Sequence, residues 1–101
     1  MDEVLLYQEN SAGAAIAVAA QIDEHGRLLI LGDEYGGEWE KEYCYLIDRE
    51  NTKKLSALLK NRRYATLLQA LAGGFDDPNG CERLMEYCRE HGISYQYFEV
   101  E

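Results

Sequence analysis

The chain has 101 residues and a formal net charge of −9, with 19 acidic and 10 basic side chains. This length supports one hydrophobic core, and the apolar content of 47% exceeds that of disordered chains, so we expect one domain over residues 1–101. All of the excess charge lies in residues 1–50, which hold 12 acidic and 3 basic residues; this distribution disfavours direct nucleic-acid binding and favours a basic protein partner, unless the acidity serves only solubility.

The first half of the chain carries the alternating apolar pattern of β-strands. We predict four strands, over residues 4–7, 14–22, 27–31 and 38–47. The second segment is rich in alanine, so a helix is the alternative there. Glycine and polar residues predict the connecting turns and loops at residues 9–13, 23–26 and 32–37.

The second half predicts three helices and a final strand over residues 94–100. The first helix begins after Asp48, a suitable N-cap, and the second covers about residues 64–72 and stops at Gly73-Gly74. The third begins near Pro78 or Gly80 and ends at a left-handed Gly92, with Ile93 closing its end. The second helix is expected to bury Tyr64, Leu67, Leu68 and Leu71, and the apolar residues that recur at helical spacing in the other two are Leu55, Leu58, Leu59, Cys81, Leu84, Met85 and Cys88.

The order of these elements indicates the fold class. Four strands, three helices and one strand do not alternate singly, as a parallel sheet would require. The sequence therefore predicts an α+β domain with an antiparallel sheet of about five strands and three helices packed on one face.

The amino-terminal sequence and the cysteines bear on the compartment. The start Met1-Asp2-Glu3 has no basic segment of an export signal, and the apolar run from Ala12 to Ala20 is shorter than the ~20 residues of a membrane span. The three cysteines lack CxxC spacing, which disfavours a disulfide framework. We expect a cytoplasmic protein that does not contact a membrane.

Motifs for catalysis or cofactor binding are missing from the sequence, including GxSxG, HExxH, the P-loop and GxGxxG. Cys88 and His91 share a helix face, but Cys81 precedes them by two turns, ~10 Å of helical rise, which is too far to share a zinc ion. We therefore expect neither enzymatic activity nor a bound cofactor or metal.

Carboxylates and aromatic residues are concentrated between residues 33 and 45. Glu38, Glu40 and Glu42 alternate along the fourth strand, opposite the face of Trp39, Tyr43 and Tyr45, and they lack the spacing of a calcium loop. Exposed tyrosine and tryptophan are typical of protein interfaces, whereas most of these aromatic rings are expected in the core and Tyr35 is expected to be exposed. The predicted partner-binding residues are Asp33, Glu34, Tyr35, Glu38, Trp39, Glu40 and Glu42.

Four segments carry a resemblance to a known group of proteins: Glu42-Tyr43-Cys44-Tyr45, the stretch from Asn51 to Leu55, Leu67-Leu68, and the stretch from Glu90 to Phe98. Over about residues 28–99 the chain resembles small acidic bacterial proteins, some of which look like immunity proteins of polymorphic toxin and contact-dependent growth inhibition systems. The resemblance implies a cytoplasmic bacterial protein that neutralises a toxin by direct binding. It supplies no functional residues.

Three hypotheses follow for the function. The first is an immunity-type protein that binds a basic toxin domain, preferably a nuclease, through the acidic residues named above. The second is an acidic inhibitor or regulator of a nucleic-acid enzyme in a defence system, with carboxylates that mimic phosphates. The third is an enzyme or a small-ligand-binding protein whose site one sequence does not reveal, which a deep apolar pocket with converging polar groups would favour.

Overall fold

The structure of the chain is a computed structural model that describes residues 2–11, 13–60 and 62–100, without the side chains of Trp39 and Val100. The elements are β1 (Asp2–Ser11), β2 (Ala14–Ile22), β3 (Leu28–Gly36), β4 (Trp39–Ile47), α1 (Arg49–Leu59), α2 (Leu67–Gly74), α3 (Gly80–Glu90) and β5 (Gln96–Val100). The predicted order of strands and helices is confirmed, and the alanine-rich segment 14–22 is a strand.

One antiparallel sheet contains all five of these strands, in the order β1-β2-β3-β4-β5. The helices pack on one face of the sheet, which confirms the predicted α+β architecture. The largest fully buried apolar side chains of this core are Leu28, Ile30, Ile47, Leu55, Leu71 and Leu84. Burial of one such side chain contributes about 1.5–3 kcal/mol. No helix in the described ranges is long and apolar enough to cross a membrane.

The prediction of a loop over residues 32–37 is wrong, because β3 continues to Gly36. Gly36 pairs with Trp39, and the connection is a two-residue turn in which Gly37 has φ +59°. A glycine with positive φ at the first turn position fits a type II′ hairpin. Gly32 has a packing role, since a Cβ there would collide with the ring of Tyr43.

The first turn is also shorter than predicted. β1 extends to Ser11, which pairs with Ala14, so that Glu9 and Asn10 belong to the strand. Ala12, which the prediction placed in the turn, lies outside the described residues. In β5 the difference is at the start, because the strand begins at Gln96, two residues after the predicted position.

Side-chain caps fix where the first two helices begin. The Asp48 carboxylate accepts a hydrogen bond from the Asn51 backbone N–H at 2.8 Å, which confirms the predicted start of α1. Thr66 caps α2 in the same way, so this helix begins at Leu67 and the prediction that it begins at Tyr64 is wrong. Its end is also later than predicted, since Gly73 and Gly74 are both helical.

A buried hydroxyl joins α1 to the sheet. Thr52 is the buried polar residue of the described core, and its Oγ1 donates to the carbonyl oxygen of Ile47 at 3.1 Å. The same oxygen accepts from the backbone N–H of Leu28 at 3.1 Å. One side chain therefore satisfies the last carbonyl of β4 and the first amide of β3.

The end of α3 has the predicted left-handed glycine. Gly92 has φ +69°, and the Ile93 N–H donates to the carbonyl oxygen of Cys88 at 2.8 Å. The Gly92 N–H donates to the Arg89 carbonyl oxygen at 3.4 Å, which completes a Schellman motif. Ile93 is 2% exposed, so it closes the helix end as predicted.

Replacing Gly92 with valine is expected to lower the free energy of unfolding by about 1–2 kcal/mol, because an L-residue strains a left-handed backbone. No described atom lies within 4 Å of a Cβ at Gly92, so the loss arises from the backbone conformation. Chemical denaturation measures the change. The matched control is Gly74→Ala, at a helical glycine with equally open surroundings, which is expected to stabilise the protein by up to ~1 kcal/mol. Equal effects at both sites would contradict the role of Gly92.

Candidate protein-binding site

The sheet has one face that the helices leave uncovered, which we call the open face. Antiparallel partners lie on the same face, so Leu5 shares the open face with Ala19, Leu31 and Cys44. Leu5 is 54% exposed, whereas Ala20 and Ile30, on the helix-covered face, are fully buried. The open-face residues that matter below are Leu5, Ala17, Ala19, Leu29, Leu31, Asp33, Tyr35, Glu40, Glu42, Cys44, Leu46 and Phe98.

Five of the predicted partner-binding residues meet at one end of the open face. Asp33 lies directly opposite Glu42, and Tyr35 lies directly opposite Glu40. Glu38 lies in the adjoining turn and shares a shallow depression of about 370 Å³ with Tyr35 and Glu40. Tyr35 is 54% exposed, as expected from the sequence. The acidic end, as we call Asp33, Tyr35, Glu38, Glu40 and Glu42, is therefore contiguous in space.

The other two predicted residues stand apart from this group. Glu34 lies opposite Lys41 in the register of β3 and β4, on the helix-covered face, and its side chain is half-buried. It lines a small cavity of about 60 Å³ together with Tyr43 and Cys81. The backbone of Trp39 pairs with Gly36, and its side chain lies outside the described part of the structure.

The charges of the sheet are strongly unbalanced. The five strands carry eight acidic residues and a single basic one, Lys41. Lys41 is on the helix-covered face, with its Nζ 3.8 Å from Glu99 Oε2. Like charges directly opposite each other on a sheet are destabilising, and Asp33 faces Glu42 without a lysine or arginine at any open-face position of the strands. We therefore expect the pair to lower the stability of the isolated chain slightly, since both side chains are exposed and water screens part of their repulsion.

The cysteine thiols are unsuited to nucleophilic chemistry at neutral pH. Burial raises the pKa of Cys81 and of Cys88 to about 11 and also raises the pKa of Cys44. A thiol with a raised pKa stays protonated, whereas the thiolate is the reactive form. Cys88 belongs to the core and Cys81 packs against it, whereas Cys44 lies on the open face.

The histidine of the considered metal site has a structural role at the end of α3. His91 Nδ1 lies 2.9 Å from the Tyr87 carbonyl oxygen, and the His91 ring stacks on that of Tyr87 with centroids 4.1 Å apart. Cys88 is fully buried. Across residues 2–11, 13–60 and 62–100, no cluster of three or more His, Cys, Asp or Glu residues is placed to hold a metal ion.

The tyrosines of β4 and β5, together with Tyr95 just before β5, form a cluster on the helix-covered face. The ring centroids of Tyr45 and Tyr97 are 4.8 Å apart, and those of Tyr45 and Tyr95 are 5.6 Å apart. Tyr45 and Tyr95 are half-buried, as expected for core aromatics, and Tyr97 is exposed at the edge. This cluster is therefore separate from the acidic end.

Sequence reasoning missed the apolar neighbours of the acidic end. A groove of about 270 Å³ is lined by Leu31, Cys44 and Phe98 together with the facing carboxylates of Asp33 and Glu42. Phe98 lies directly opposite Cys44 and is 51% exposed. The alternation of Tyr97 and Phe98 was the available signal, because it places these two rings on opposite faces.

Comparison of the chain with models of protein families, with curated proteins and with solved structures finds no match in any of the three. The site is therefore interpreted from its own geometry.

Proposed function

We propose that this chain is an immunity-type protein that binds a basic bacterial toxin domain of the nuclease class and neutralises it. The observation that carries the proposal is the facing pair Asp33 and Glu42, without a basic residue on the open face of the strands. A protein that keeps such a pair loses stability in isolation. A basic partner supplies the missing counter-charge, so the unfavourable pair becomes a source of binding energy.

The acidic end would act at two stages of binding. At long range, its carboxylates attract a basic surface and raise the association rate. At contact, Glu38, Glu40 and Glu42 occupy positions that nucleic-acid phosphates would take on a nuclease, and the half-exposed Tyr35 supplies an aromatic anchor. Such binding blocks the substrate surface and needs no chemistry from the inhibitor.

The test is co-expression of this chain with any basic, toxic protein domain that a neighbouring gene encodes. We expect the cells to survive only when both are produced, and a tagged form of this chain to retain the toxin domain in equal amounts. Glu82→Gln, an exposed carboxylate of α3, serves as a matched control that should protect as well as the parent chain. Persistent toxicity, or retention of a nucleic-acid enzyme from a defence locus in place of a toxin, would reject the immunity function.

A further inference from the structure

Beyond the acidic end, the open face carries mostly apolar side chains along β2, β3 and β4, with the polar residues Glu3, Gln8, Gln21 and Gln96 among and around them. Leu5 and Phe98 are 54% and 51% exposed at its two edges. Between them lie half-buried small or aliphatic side chains, namely Ala17, Ala19, Leu29, Leu31, Cys44 and Leu46. No described helix covers these residues. Exposed apolar side chains that are grouped on one surface and rimmed by polar residues are typical of interaction sites.

The groove beside Phe98 joins this apolar surface to the acidic end. Phe98, Leu31 and Cys44 supply apolar lining, and Asp33 and Glu42, which lie directly opposite each other, supply two carboxylates. An arginine side chain fits both the apolar lining and the carboxylates of this groove. Its aliphatic stem packs on apolar surface, while its planar guanidinium stacks on an aromatic ring and pairs with carboxylates. Lysine provides only a point charge.

We propose that the open face docks a partner segment in which an arginine is flanked by aliphatic side chains, with the arginine held between Phe98 and the Asp33–Glu42 pair. The proposal rests on the proposed function and adds the chemistry of the partner. The flanking aliphatic side chains cover Leu31 and Leu29, and the guanidinium replaces the repulsion between Asp33 and Glu42 with two attractions.

Charge selects this occupant over a second copy of the chain. Two copies that pack their open faces together would remove Asp33, Glu40 and Glu42 of both copies from water. The strands of the second copy supply no lysine or arginine on that face, since their single basic residue, Lys41, lies on the other face and pairs with Glu99. A basic partner avoids this cost.

The test is an NMR titration of the ¹⁵N-labelled protein with the capped peptide Leu-Arg-Leu. We expect saturable shifts of the amides of Leu31, Asp33, Glu42, Cys44 and Phe98. The capped peptide Gly-Arg-Gly keeps the charge without the apolar flanks, and Leu-citrulline-Leu keeps the flanks without the charge. Both are expected to bind at least about fivefold more weakly than Leu-Arg-Leu, because one peptide lacks the apolar contacts and the other lacks the charge.

Variants locate the binding in the groove. Phe98→Ala is expected to weaken binding of Leu-Arg-Leu about fivefold, and Asp33→Asn with Glu42→Gln about tenfold. Glu86→Gln, an exposed carboxylate on α3, is the control and should leave the affinity unchanged. The amide spectrum of each variant reports directly whether it is folded.

Three outcomes would overturn the proposal. The first is equal affinity for Leu-Arg-Leu and Gly-Arg-Gly. The second is a set of shifts spread over the amides of acidic residues in both the sheet and the helices. The third is a dimer, detected by analytical ultracentrifugation, that Phe98→Ala dissociates. Failure of the co-expression test with a positive titration would reject the toxin as partner and keep the docking site. Protection in the co-expression test together with a negative titration would keep the immunity function and reject the groove beside Phe98 as the docking site.

Discussion

Exchanging Glu38, Glu40 and Glu42 for lysine is expected to slow association with the basic toxin domain by about ten- to a hundredfold at low ionic strength. The three carboxylates lie together at the acidic end, so their reversal turns attraction into repulsion at the proposed point of contact. The fold should be retained, because these side chains are exposed and a lysine at position 42 would face Asp33 with opposite charge.

Stopped-flow measurements at low and high salt give the association rate. The matched control carries the same change in net charge on the helical side of the domain. In it, Glu82, Glu86 and Glu90 of α3 are exchanged for lysine. The control should slow association only slightly. Equal slowing by both triple variants would attribute the effect to net charge and would remove the acidic end from the interface.

Thr52→Val is expected to lower the free energy of unfolding by about 1–3 kcal/mol. Valine has nearly the shape of threonine, so the packing volume is kept, while both hydrogen bonds of Oγ1 are lost. The Leu28 N–H and the Ile47 carbonyl then lose a buried partner at the junction of β3, β4 and α1. Leaving such groups unsatisfied costs the protein their desolvation.

Guanidinium denaturation of the parent chain and of the Thr52 variants measures this loss. Thr52→Ser keeps the hydroxyl and removes only a methyl group, so it should cost less than Thr52→Val. If valine proved the milder replacement, the hydroxyl would contribute little and packing would explain the burial of Thr52.

Local signals were sufficient for several features of the fold. The cap of α1 depends on Asp48 and on the amide of Asn51, three residues away. The end of α3 depends on Gly92 and Ile93 and on carbonyls within the preceding turns. The identity of these residues determines the geometry without help from the rest of the chain, so the sequence predicted both ends correctly.

The errors occurred where distant segments decide the structure. Gly32 and the acids of β3 have the composition of a loop, yet pairing with β4 makes them a strand. With the strand missed, the alternation that separates Asp33 from Glu34 was lost as well. Phe98 was overlooked for a similar reason, because the exposure of a sheet face depends on where helices pack.

The position of β5 has a consequence for the order of folding. β1 to β4 are joined by short connections, whereas β5 reaches its place beside β4 only after three helices have intervened. Closing a long loop costs more entropy than closing a hairpin, so we expect the ladder between β4 and β5 to form after the hairpins. Phe98 meets Cys44 in that ladder, so we expect the groove to be complete only once the whole sheet has formed.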